Sequence, residues 1–235
     1  MARELPGFHP SLYRVRRLLR RHRDEMADAM IEAEFPIHPL EVELNAEAEI
    51  ILEAIHRSGG LTLRMIRGVI AEAAFEIEVV EQLEGWRNIT PPGDLPYDFL
   101  LDDGQGAVRV QVKLQRSLAH RPMWAREAYR FLPGDRYVVE TQRTRRGSNK
   151  RTGGSTRPYR FGEFDLLAVA MYPSTHEWNT FMYIVADWLL PGRTDPSEIL
   201  KFQPVATTSN DDWTNNFHTA VGWLRSGVKK KMRVT

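Results

Sequence analysis

Hydrophobic and polar positions along this chain follow two different periods, helical in the first third and strand-like after Gly85. Residues 10–33 interleave leucines and methionines with charges and predict a helix that stops near Phe35-Pro36. Asn45 reads as the N-cap of a second helix over about 46–57, ended by Gly59-Gly60. A third helix is expected from near Thr62 to about Glu84, with Gly85 as its terminator. Its Ile66, Ile70, Ala73, Ile77 and Val80 recur at spacings of three and four, an amphipathic stripe.

Past Gly85 the period shortens. Trp86 to Thr90 reads as a short strand and Pro91-Pro92-Gly93-Asp94 as a turn. Tyr97 to Leu101 and Ala107 to Leu114 read as two strands joined by the hairpin turn Asp102-Asp103-Gly104-Gln105-Gly106. In the second of them Val108, Val110, Val112 and Leu114 alternate with Arg109, Gln111 and Lys113, so one face is apolar and the other polar. Residues 121–131 suit a helix, and 142–160, without apolar periodicity, read as a long loop. Phe164 to Met171 and Phe181 to Leu190 are the strongest later strands, the second of them open to a part-helical reading, and 211–225 suit a last helix. The order predicts an α/β (α+β) fold with a central mixed sheet flanked by helices. It divides into a helical N-terminal segment, 1–60, and a core, 61–235.

Composition adds limits. At 235 residues and 42% hydrophobic, the chain can bury a core. No apolar run approaches the roughly 20 residues of a membrane span, and the N-terminus lacks the apolar stretch of a secretory signal. The absence of cysteine removes disulfides and thiolate metal sites and fits a cytoplasmic location. Seven scattered histidines, no two with ligand spacing on one helix, disfavour zinc. No phosphate-binding glycine loop, dinucleotide fingerprint or nucleophile elbow occurs.

The net charge of +1 hides an uneven distribution. Residues 11–23 hold six arginines and no acid, residues 68–103 hold nine acids and one base, and residues 141–160 hold seven bases and no acid. Of the 32 basic residues only six are lysine. Arginine offers a planar fork to phosphate and guanine edges, although a GC-rich genome produces the same bias. An acidic centre between basic segments is what a metal enzyme acting on a polyanion requires.

Hydrolysis of a phosphodiester needs a divalent cation, carboxylates to hold it, and a positive group to orient the nucleophile. Hard cations such as Mg2+ take oxygen ligands, commonly one or two carboxylates with carbonyls and water. Asp98 opens one hairpin strand, and the period of two puts Gln111 and Lys113 on the same face of its partner. An aspartate, an amide oxygen and an ammonium then converge, with the Val112 carbonyl as a further candidate ligand.

The segment from Pro96-Tyr97-Asp98 to Gln111-Val112-Lys113 resembles the signature of the PD-(D/E)XK nucleases, the superfamily of most type II restriction endonucleases. Asp98, Gln111 and Lys113 match its three positions, with Tyr97 inserted after the proline and glutamine where a carboxylate is usual. The resemblance extends through Tyr159 to Val169 and covers about residues 65–190. It implies a glutamate on the preceding helix that reaches the metal, here Glu72, ranked above Glu76. It also implies Mg2+ held by Asp98, Gln111, Val112 and one of these glutamates, with Lys113 polarising the attacking water.

The expected activity is cleavage of double-stranded DNA by a homodimeric restriction-modification endonuclease. Arg143, Arg145, Arg146, Asn149, Lys150, Arg151 and Arg157 of the 142–160 loop are the expected DNA contacts. The alternatives are a structure-specific repair or recombination nuclease of the same fold and a DNA-binding relative without catalysis. Plainer readings also stand: Asp98 as a strand cap, Lys113 as an ordinary strand residue, Asp94, Asp102 and Asp103 as turn residues, and Glu72 and Glu76 as a solvated helix face.

Overall fold

The computed structural model describes residues 39–143 and 158–233. Its contacts divide the chain into two units, Met1–Leu63 and Arg64–Thr235. The helix expected over 10–33 lies outside the described residues, as does most of the basic loop.

In the first unit a short helix α1 (Pro39–Glu43) precedes α2 (Ala48–Arg57). Asn45 is not the N-cap of α2. It sits in the left-handed region at φ 46°, and Glu47 takes the cap position. The connection is closed by Glu41, whose carboxylate accepts the Ala48 N–H at 2.9 Å. Asparagine tolerates that backbone region better than other side-chain-bearing residues, so it marks the turn before the helix, not the cap.

Helix α3 (Gly60–Glu78) is followed by a 3-10 turn, Val80–Gln82, and by Gly85 at φ 78°. The strong apolar stripe is not its buried face. Ile70 and Ile77 remain exposed, Ile77 at 54%, whereas Ala71 and Phe75 are fully buried. Phe75 decides the rotation: its ring meets Phe99 at 5.2 Å, Phe181 at 5.4 Å and Phe217 at 6.4 Å between centroids. One aromatic in a cluster of aromatics removes more area from water than several aliphatics on a surface with nothing to meet.

The main sheet has the order β1 (Arg87–Asn88), β2 (Phe99–Asp102), β3 (Val108–Leu114), β7 (Leu166–Ala170), β8 (Phe181–Val185). All neighbours are antiparallel except β3 and β7, which run parallel from Val110↔Leu166 to Leu114↔Ala170. The fold is thus mixed α/β with a central mixed sheet flanked by helices. Because β3 is interior, both of its edges are paired; on its polar face Gln111 is 1% exposed, while Arg109 and Lys113 are half-buried.

The crossover between β3 and β7 carries a small hairpin, β4 (Ser117–Leu118) and β5 (Arg121–Pro122), then a single helical turn, α4 (Ala125–Ala128). This replaces the helix expected over 121–131. Its turn is made by Ala119 and His120, both at positive φ, residue types that give no turn signal. A second sheet pairs β6 (Tyr137–Glu140) with β9 (Phe202–Val205). A turn of helix α5 (Tyr172–Thr175) precedes β8, and a 3-10 turn, Ala186–Trp188, follows it. The last helix, α6 (Phe217–Arg225), begins six residues later than the pattern suggested, where Asn216 accepts the Thr219 N–H at 2.9 Å. Among the described residues no helix is long and apolar enough to cross a membrane.

Candidate active site

The hairpin β2–β3 sets the geometry. Phe99 pairs with Val110, so Asp98 extends the register by one position and faces Gln111; its own N–H donates to the Val110 carbonyl at 3.0 Å. The Asp98 carboxylate turns back onto β3. Its Oδ2 accepts the Val112 N–H at 2.7 Å and a hydrogen bond from the Gln111 side-chain Nε2. The same Nε2 also donates to the Val112 carbonyl at 3.2 Å. Asp98 and Gln111 therefore meet as the strand alternation predicts, and the Val112 backbone joins them. The donor end of the amide, not its oxygen, is turned toward the other two.

Glu72 joins them from α3. It stands one position from Ala71 and one turn before Phe75, on the flank of the buried face, and is half-buried. Burial, reinforced by the Asp98 charge, raises its carboxyl from the ordinary 4.5 to about 7, against the pull of Lys113. Glu76, one turn on, is exposed. Both glutamates line a cavity of about 540 Å³ whose wall continues through Asp94, Tyr97 and Asp98. The rotation of α3 about Phe75 thus puts Glu72 in electrostatic contact with Asp98 and Lys113 and leaves Glu76 at the cavity's edge.

Burial also raises Asp98, although Lys113, the Val112 N–H and Gln111 all favour its charged form. Lys113 is pushed the other way. Burial lowers it, Asp98 and Glu72 raise it, and Arg143 lowers it further. No described group accepts a hydrogen bond from its ammonium, which lies 5.5 Å from the centroid of the Tyr159 ring. Two carboxylates held above their usual range beside a lysine held below its own is the pattern of a site prepared for added positive charge.

The other polar residues have structural work. Arg109 spends its guanidinium on Asp165, donating at 3.0 and 2.7 Å, and on the Gly162 carbonyl at 2.6 Å. Asp102 accepts from Arg87 at 2.9 Å and from the Gly104 N–H at 3.0 Å, and Asp103 is forked to Arg225 at 2.8 and 2.7 Å. Asp102 thus closes β2 and Asp103 opens the turn, each committed to an arginine. Of the expected DNA contacts only Arg143 is described, paired with Glu163 at 2.7 Å; Arg145, Arg146, Asn149, Lys150, Arg151 and Arg157 lie outside the described residues.

Tyr159, to which the sequence pattern assigns no role, is at the site. The residue is 5% exposed, and its ring stands beside both Lys113 and Arg143. Burial first, then Asp98, raise its hydroxyl well above the ordinary tyrosine range, so it stays protonated and is no general base. An aromatic before Arg160-Phe161-Gly162 carries no sequence signal for such a place.

The donor set suits a hard cation. Asp98 and Glu72 offer two carboxylates and Val112 a carbonyl, with no sulfur and no imidazole, while the Gln111 amide would offer its oxygen only on turning over, since its Nε2 faces Asp98. Among the described residues no three His, Cys, Asp or Glu side chains form a metal-binding group.

No family model and no curated protein sequence matches the chain. Among solved structures it is similar to a bacterial homing endonuclease, I-Ssp6803I, with a TM-score of 0.39 and 23% identity over 72% of this chain and 96% of that one. A likeness that loose bears on neither the fold nor the chemistry.

Proposed function

We propose that this chain is a magnesium-dependent endonuclease of the PD-(D/E)XK kind that hydrolyses double-stranded DNA, acting as a homodimeric type II restriction enzyme. One observation carries the reading: Asp98 and Glu72, both desolvated, share a site with a lysine whose ammonium donates to no described group.

Asp98, Glu72, the Val112 carbonyl and the Gln111 amide would hold the cation, which when bound supplies charge to the scissile phosphate and acidity to a water. Asp98 is fixed by the Val112 N–H, so one ligand is oriented by the backbone next to another. Lys113 keeps its three N–H groups for the water and a phosphate oxygen, and its lowered affinity for a proton suits it to orienting a nucleophile at neutral pH. Arg143 stands beside the same site and, with the basic loop that follows it, meets the phosphates.

Supercoiled plasmid incubated with Mg2+ tests the reading. Nicking by the wild type and its loss in Lys113→Ala, with DNA binding retained, are expected. No cleavage under any divalent cation would end it. Discrete fragments from a defined DNA support the sequence-specific form, and cutting only at junctions supports a structure-specific nuclease. A noncatalytic DNA-binding relative is the second reading. Gln111 favours it, because its amide N–H groups occupy Asp98 and the Val112 carbonyl, both candidate metal ligands.

A further inference from the structure

Lys113 poses a mechanical problem. Its ammonium sits at the end of a flexible four-carbon stem, donates to no described group, and feels the charge of two carboxylates, Asp98 and Glu72. Coulomb attraction alone would draw it into a closed ion pair with Asp98 or Glu72, where it would meet no water and no phosphate.

What opposes that pull is aromatic. The Tyr159 ring has the Lys113 ammonium 5.5 Å from its centroid and the Arg143 guanidinium at 5.1 Å. The ring is itself fixed. Phe164 stands edge-on to it at 5.4 Å and 88°, and the Tyr159 carbonyl accepts the Ile199 N–H at 2.7 Å. Arg143 is held by Glu163 at 2.7 Å, and Glu163 also accepts the Arg160 N–H at 2.9 Å, so the second cation is anchored to the segment that carries the ring.

An aromatic face attracts a cation without accepting a conventional hydrogen bond, and the attraction grows when water is excluded. We propose that Tyr159 is a positioning residue for the reaction: its ring holds the Lys113 ammonium off the carboxylates, N–H groups free for water and phosphate, and seats Arg143 beside it as a second phosphate-facing cation. The inference rests on the nuclease reading for its catalytic meaning, but not for the contact itself.

Two variants and two measurements separate the outcomes. The chain has six lysines, so 13C-labelled lysine gives few ε-methylene signals, and Lys113→Arg assigns the one at the site. That signal should hold its position in Tyr159→Phe and move downfield in Tyr159→Leu as the ring current is lost, while those of Lys201, Lys230 and Lys231, each over another ring, stay in place. In single-turnover cleavage at saturating DNA, Tyr159→Phe should keep the wild-type rate within about threefold. Tyr159→Leu should lose about 10²-fold, the scale of a misplaced catalytic group.

A wild-type signal in Tyr159→Leu, or a Phe variant as slow as the Leu variant, overturns the proposal. If Tyr159→Leu fails to fold, fluorinated phenylalanines at position 159 keep the shape and weaken the ring face. Rates that ignore fluorination overturn the proposal equally. A Lys113 signal that moves in Tyr159→Leu, with no cleavage by the wild type, would uphold the Tyr159–Lys113 contact and sink the nuclease reading instead.

Discussion

Gln111 turns the donor end of its side chain toward Asp98, and the same Nε2 reaches the Val112 carbonyl at 3.2 Å. A neutral amide N–H pair thus stands where a cation would find two of its ligands. The position is interior to the sheet and closed to water, so neither the Asp98 oxygen nor the Val112 carbonyl is left without a partner in the absence of metal. The price is that the metal-free site is already satisfied.

Asp98→Asn follows from the balance of forces on that carboxylate. All of its favourable partners together fail to offset burial, since its affinity for a proton remains above the ordinary carboxylate value. A neutral isostere therefore melts at or above the wild-type temperature at pH 8, while cleavage falls by about 10²–10³-fold through loss of a charged ligand. Thermal melts and plasmid nicking on the same preparation check both halves. A strongly destabilised Asn variant would mean that Asp98 is a structural anion.

Glu72 gives a pH prediction with a definite sign. Its carboxyl is raised from 4.5 to about 7 in the folded protein, so between those values the folded state holds a proton that the unfolded chain has released. Stability contributed by this group is complete below about pH 4.5 and is lost as pH rises toward 7. The difference in melting temperature, Glu72→Gln minus wild type, should be near zero at pH 4.5, grow through pH 6, and level off above 7. Mg2+ at millimolar concentration should shrink it at pH 8 by stabilising the wild type. A difference that does not change with pH would place Glu72 on a solvated face.

The hairpin and its polar pair were legible because strand alternation, an Asp-Asp-Gly turn and an aspartate at the strand entry all agree. The rotation of α3 was not. Counting apolar residues favours the Ile70–Ile77 stripe, whereas burial follows Phe75, whose partners Phe99, Phe181 and Phe217 come from β2, β8 and α6. Of the two helix glutamates, Glu72 lies on the flank next to Phe75 and is half-buried, whereas Glu76 is exposed. The pairing of β6 with β9 was invisible for a different reason. Four-residue strands hold too few alternations to show a period, and one of these contains Pro204. Tyr159 lies beyond any local rule, because Lys113 and Arg143 reach it from other segments.

Asp165→Asn tests what holds β3 against β7. Asp165 accepts the Arg109 backbone N–H at 2.8 Å together with two guanidinium hydrogen bonds, at the start of the one parallel pairing in the main sheet. Replacing the charged acceptor should cost about 2 kcal/mol, the scale for hydrogen bonds to charged groups. For a unit of this size that is about 4–8 °C in melting temperature. Activity per folded molecule should be unchanged. An unmoved midpoint would show that strand pairing alone fixes this register.

Gln111→Glu is the sharpest test of the metal site, because the two readings of Gln111 predict opposite responses. If the amide is a cation ligand that must turn its oxygen inward, it competes with the metal through its own hydrogen bonds to Asp98 and the Val112 carbonyl. A carboxylate at 111 removes both donors and adds a charge. Without metal it crowds a third acid against Asp98 and Glu72, two carboxyls already raised by burial, so the protein should melt several degrees lower at pH 8. With Mg2+ the loss should reverse, and calorimetric titration should show binding tighter by about tenfold or more, one added charge–charge contact in a partly desolvated site. If Gln111 is instead a closed structural donor in a noncatalytic relative, the same variant is destabilised and Mg2+ neither rescues it nor binds more tightly.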